Sequence, residues 1–211
     1  MKFAELVQTV SDEPCFETGL LLAGDADPLD VRRQLSRWVE SGQIYQLRRG
    51  LYTLAPPFQK IKPHPFVLAN AMVRGSYVSC QSALEYYGMI PEYTPVTTSV
   101  SASRPGRWET PLGTFDFRHV KPELLRGYRQ IELGGQRAFV ATPEKALLDL
   151  IHLYPSGDDP AYLRELRLQN LENLDLAALA ILAEQSAMPK LRRAAKFVAE
   201  LAQTQTDYET L

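Results

Sequence analysis

"DPLDVRRQLSRWVESGQIYQLRRGLYTL", residues 27–54, changes partway from a helical apolar period to an alternating one. Asp27 is placed to cap a helix, Pro28 suits its first turn, and Gly42 stops it. Val31, Leu35, Trp38 and Val39 fall at i, i+4, i+7 and i+8, so one stripe of that helix faces a core. At ~100° per residue Arg33 lies almost opposite the stripe, flanked by Ser36 and Arg37. Beyond Gly42, Ile44 and Gln46, then Leu51 and Thr53, predict two strands around a turn at Arg48, Arg49 and Gly50, the glycine supplying positive φ.

Upstream, Phe3, Leu6, Val7 and Val10 predict a helix over 3–10, and residues 16–23 a second short helix ending at Gly24. Three helices followed by a hairpin is the order of a winged helix-turn-helix, whose third helix enters the DNA major groove. Net charge divides in the same sense. Residues 1–30 hold one lysine against seven carboxylates, a net −6, whereas residues 31–62 hold seven cations against Glu40, a net +6. The chain's overall −2 hides this partition. Arg33, Ser36 and Arg37 are the candidates for base edges, and Arg32, Arg48, Arg49, Lys60 and Lys62 for phosphates. Arginine serves both purposes because its planar fork pairs bidentately with guanine or with phosphate.

"APPFQKIKPHP", residues 55–65, is proline-rich and reads as a stiff connection, so a domain boundary is expected at 62/63. Beyond it "PFVLANAMV" predicts a helix, "SYVS" a short strand, and Ser79 a cap for "CQSALEYYGMI". Strands are expected near 95–101, 114–120, 129–134 and 137–141, with turn punctuation between them. A helix capped by Thr142 with Pro143 in its first turn follows, then helical patterns over about 159–170, 175–186 and 188–203. The last is amphipathic, with Leu191, Ala194, Ala195, Val198 and Leu201 on one face, and suits packing on its own domain. The fold class expected is α+β: an N-terminal winged helix-turn-helix over 1–62, then a mixed α/β domain over 63–211 with a helical C-terminal tail.

At 45% hydrophobic and 23% charged, the composition is that of an ordinary globular chain. Cys15 and Cys80 lack close spacing or partner histidines, so neither a disulfide framework nor a zinc site is expected, and a reducing cytoplasm is the simplest setting. The acidic N-terminal stretch is unlike a signal peptide, and no apolar run approaches the ~20 residues of a membrane span. A nuclease would need clustered carboxylates around a metal; Asp116, with Glu144 and Lys145, is the nearest set, and its spacing is not diagnostic. Glu144 in a first helical turn suits the helix dipole, which leaves Lys145 as a surface residue. His64, His119 and His152 are scattered without metal spacing. No catalytic residues, cofactor or metal are expected.

"LSRWVESGQIYQLRRGLYTL" (35–54), "YVSCQSALEYYGMI" (77–90) and "FVATPEKALLDLI" (139–151), in that order, resemble AbiEi-type antitoxins, the transcriptional regulators of type IV abortive-infection toxin-antitoxin systems. The likeness spans roughly residues 3–155; the tail shares only helical character. The resemblance implies a repressor that binds inverted repeats in its own promoter through the N-terminal winged helix. It implies DNA contacts by Arg33, Ser36, Arg37, Arg48 and Arg49. It also implies a C-terminal domain that neutralises a nucleotidyltransferase-like toxin without a stable complex. A stand-alone winged-helix regulator and a metal-dependent nucleic-acid enzyme are the alternatives. Inverted repeats suggest two copies per operator, and no heptad zipper enforces a dimer.

Overall fold

A computed structural model describes residues 1–10, 12–22 and 26–209, with side chains described through residue 204. It is a mixed α+β fold. The N-terminal unit runs α1 (Phe3–Val10), β1 (Phe16–Glu17), α2 (Thr18–Leu21), α3 (Pro28–Glu40), β2 (Ile44–Arg48) and β3 (Leu51–Leu54). Asp27 caps α3 as expected, its carboxylate accepting from the Leu29 amide at 2.8 Å. Gly42 follows at φ +70°, a left-handed conformation that ends the helix at little steric cost.

Residues 16–23, expected to be a helix throughout, begin as strand β1. The ladder decides this, because Phe16 and Glu17 pair with Tyr52 and Leu51 to give a three-stranded sheet in the order β1-β3-β2. Phe16 also stacks on Tyr52 with ring centroids 5.9 Å apart. The expected stop at Gly24 lies outside the described residues.

Consecutive residues of a strand point to opposite faces, and here both faces of the β2/β3 hairpin are covered. Ile44 and Leu54 join Leu6, Val10, Phe16, Leu21, Val31 and Leu35 in a small N-terminal core. A bulge between Gln46 and Arg48 leaves Leu47 as the extra residue of β2. Leu47 and Leu51 are buried in the larger C-terminal core instead. The connection at 55–65 is more closely held than its prolines suggested. Ala55 is buried, and Phe58 packs on Phe3 with ring centroids 4.8 Å apart. Gln136 accepts from the His64 amide at 3.1 Å and donates to the Lys62 carbonyl at 3.0 Å.

The larger unit comprises α4 (Pro65–Met72), β4 (Tyr77–Val78), α5 (Cys80–Tyr86), β5 (Val96–Ser101), β6 (Gly106–Thr110), β7 (Gly113–His119), β8 (Tyr128–Leu133), β9 (Gln136–Ala141), α6 (Pro143–Leu153), α7 (Pro160–Glu165), α8 (Leu176–Gln185) and α9 (Pro189–Glu209). Its six-stranded sheet is ordered β6-β7-β5-β4-β9-β8. The β5/β7 and β4/β9 pairs are parallel; the other pairs are antiparallel. Four expected strands appear as β5, β7, β8 and β9. Strand β6 was unforeseen, because an edge strand buries little and its residues sit between the turn signals at Pro105 and Pro111. Helix α7 is shorter than the pattern over 159–170, and the chain turns left-handed at Arg167 and Asn170. The expected face of α9 is buried at Leu191, Ala194, Ala195 and Val198 within its own chain. Among the described residues no helix is long and apolar enough to cross a membrane.

Candidate nucleic-acid interface

With Val31 and Leu35 fixed in the core, the remaining face of α3 is set by its period. Leu29, Arg32, Arg33, Ser36, Arg37 and Glu40 all face outward and are exposed. Arg33 Nη1 lies 3.2 Å from Asp30 Oδ1, and both side chains are well exposed. Such a pair contributes ~1 kcal/mol or less, so Arg33 can exchange it for a base or a phosphate at small cost. The side chains of Arg32 and Arg37 make no ion pair with any described residue.

Helix α3 packs beside β2, so the hairpin turn belongs to the same neighbourhood. Gly50 has φ +82°, the conformation expected of it, and its carbonyl accepts from the Thr18 amide at 2.9 Å. The turn is thereby tied to the start of α2. Arg49 is exposed and its side chain makes no ion pair with a described residue, whereas Arg48 is half-buried and donates through Nη1 to the Arg49 carbonyl at 3.2 Å. Lys60 and Lys62 are exposed on the connection, and Lys60 Nζ lies 3.9 Å from Asp12 Oδ1. The basic residues therefore fall on three places: the outward face of α3, the hairpin turn and the connection.

Leu29 was missed by reasoning on charge. It is 58% exposed in the first turn of α3, one turn before Arg33. Its signal was its position off the Val31–Leu35 stripe. An exposed apolar side chain beside arginines can contact a thymine methyl group.

The C-terminal unit overturns one expectation outright. Lys145 is not a surface residue: it is 7% exposed at its side chain and pairs with Asp149, which is 2% exposed, at 2.5 Å. Asp149 also accepts from the Ser79 hydroxyl at 2.7 Å and from the Tyr77 hydroxyl at 3.0 Å. Ser79, expected to cap α5, therefore makes no side-chain capping bond. Glu144 is buried too, its Oε1 accepting from the Asp175 amide at 2.9 Å at the start of α8. Asp116 pairs with Arg118 at 2.7 Å. Thr142 does cap α6, accepting from the Lys145 amide at 3.3 Å. Asp116, Glu144 and Lys145 thus each have a separate partner. Among the described residues no group of three His, Cys, Asp or Glu is placed to hold a metal ion.

Both thiols are held protonated. Burial, followed by Glu13 and Glu17, pushes Cys15 up to about 11, and burial pushes Cys80 up further. His64 is the cap of α4, its Nδ1 accepting from the Phe66 amide at 3.2 Å. Burial lowers its pKa from the ordinary 6.5 and lowers that of His152, where Asp149 pulls weakly the other way. Each therefore binds a proton more weakly folded than unfolded, so the stability it contributes is present above 6.5 and is lost as pH falls below that value through the lowered folded pKa. Chemical-denaturation midpoints should drop as pH falls below 6.5, and His64→Gln with His152→Gln should flatten the drop. An equal drop in the double variant would assign the acid sensitivity elsewhere.

No protein-family model matches the chain, and no curated protein matches it.

Proposed function

We propose that the protein is a sequence-specific DNA-binding repressor whose N-terminal unit is a winged helix-turn-helix. The supporting observation is the set of exposed cations on adjacent elements that make no ion pair with a described residue: Arg32 and Arg37 on the outward face of α3, and Arg49 on the turn beside it. The element order and the β1-β3-β2 sheet fit that reading. Helix α3 would lie in the major groove, with Arg33, Ser36 and Arg37 reading base edges. Arg32, Arg48, Arg49, Lys60 and Lys62 would neutralise phosphates.

The resemblance of three sequence segments to AbiEi-type antitoxins extends the proposal to a cytoplasmic antitoxin that represses its own operon at promoter inverted repeats. The C-terminal unit would counter a nucleotidyltransferase-like toxin without stable binding to it. Promoter footprinting tests the DNA reading: two symmetric protected half-sites are expected, and no protection above random DNA would sink it. Replacing Arg48 and Arg49 by alanine should weaken binding to every sequence and reduce the salt slope by roughly two. An unchanged slope would remove the turn from the interface. Co-expression with the toxin gene, if one lies beside this gene, tests the antitoxin reading separately. Rescue should require residues 66 onward, and equal rescue by a chain lacking them would refute it.

A further inference from the structure

A cleft of 390 Å³ opens on the C-terminal unit, and none of the residues assigned to DNA is among its lining residues. Its lining includes His64 and Phe66 at the start of α4, Glu85 and Tyr86 at the end of α5, and Tyr93 and Thr94 before β5. The Phe66 and Tyr86 rings meet at 5.8 Å, and His64 meets Phe66 at 4.9 Å. Tyr86 is 45% and Tyr93 80% exposed, so two aromatic side chains are left uncovered at one opening. Among the described lining residues Glu85 carries the only full charge at neutral pH. Its carboxylate is held in place through Oε2, which accepts from the Thr94 amide at 3.0 Å and from the Thr94 hydroxyl. Oε1 makes no hydrogen bond with a described residue.

We propose that this cleft binds an organic cation of the guanidinium or alkylammonium type, gripped between the aromatic rings and the Glu85 carboxylate. Aromatic faces attract such cations through the negative centre of the ring, most strongly where water is excluded. A fixed carboxylate adds a charge-assisted hydrogen bond. The volume falls within the range of small-molecule sites. An anionic ligand is disfavoured by the same groups. The first amides of α4 are already taken, Phe66 by His64 Nδ1 and Val67 by the His64 carbonyl. No lysine or arginine lines the cleft, so a phosphate entering it would meet a carboxylate without a counter-charge. Burial lowers the His64 pKa and so favours its neutral form, which adds no positive charge to offset Glu85.

The test is calorimetric and NMR titration of the full chain with n-butylguanidinium, the neutral alkyl alcohol 1-pentanol, and butyrate. The guanidinium should saturate with a Kd on the order of 1–10 mM, and the alcohol and the anion should bind at least about tenfold more weakly. Glu85→Gln keeps an acceptor for Thr94, so the fold survives, and should weaken the guanidinium about tenfold or more. Tyr93→Leu alters only an exposed ring and should weaken it several-fold. Equal binding of the alcohol, failure to saturate, or an unchanged Kd in Glu85→Gln overturns the proposal. A short peptide with one arginine, against its citrulline counterpart, identifies the source. Arginine-dependent binding marks a side chain of a protein partner, and binding by n-butylguanidinium alone marks a free small cation; either upholds the site. The DNA reading can fail without affecting this result.

Discussion

Asp149→Ala should destabilise the protein by about 3–5 kcal/mol, the cost of leaving one member of a buried ion pair without its partner. The Lys145 ammonium has almost no access to water to replace the lost carboxylate, because its side chain is 7% exposed and sits over the Tyr77 ring at 5.9 Å. The hydroxyls of Tyr77 and Ser79 lose their acceptor in the same step. Those partners tie β4 and the start of α5 to α6, so the loss should appear in the cooperative unfolding of the whole C-terminal unit. Replacing both charges, Lys145→Met with Asp149→Leu, should recover most of the loss, since no bare charge then remains in the core. The measurement is the denaturation midpoint with an unchanged slope. If Asp149→Ala stays within about 1 kcal/mol of the parent, the cluster is not what joins these elements.

Replacing Arg33 and Arg37 by alanine should weaken binding to the specific promoter by about 1–3 kcal/mol each, with a smaller effect on random DNA. Both lie on the outward face of α3, one turn apart, where a major-groove helix presents its reading residues. Arg37 has no ion pair with a described residue to release, and the exposed Asp30 pair of Arg33 costs little to break. Stability should hardly change, because neither side chain contributes to the core. The decisive comparison is the ratio of specific to random-sequence affinity at one salt concentration. Equal losses on both would make these arginines phosphate contacts and move base recognition elsewhere.

Elements with strong local signals were legible in the sequence. The Asp27 cap, the apolar stripe, the Gly42 stop and the positive φ of Gly50 are all consequences of short-range chemistry, and each is found where the residues put it. What could not be read depends on partners distant in the chain. Phe16 and Glu17 are extended because Tyr52 and Leu51 pair with them, more than thirty residues away. Lys145 looked like surface beside Glu144, and its burial goes with Asp149 one turn along the same helix and with Tyr77 and Ser79 arriving from β4 and the start of α5. A clue was present: Asp149 lies one turn beyond Lys145 and interrupts the otherwise apolar run "ALLDLI", a spacing suited to an internal pair. For the candidate interface, charge identified the arginines and overlooked Leu29, whose exposure follows from helical geometry alone.

The two leucines of the hairpin have a mechanical consequence. Leu47 and Leu51 are inserted in the C-terminal core while Ile44 and Leu54 are held by the N-terminal one, so the hairpin is a lever with a fulcrum in each body. A fragment ending at residue 62 would leave both leucines facing water, at ~1.5–3 kcal/mol apiece, and would carry its turn arginines on an unbraced arm. In the intact chain β6 lies against β2, the strand that carries Arg48, so the turn arginines stand on a hairpin braced by both cores.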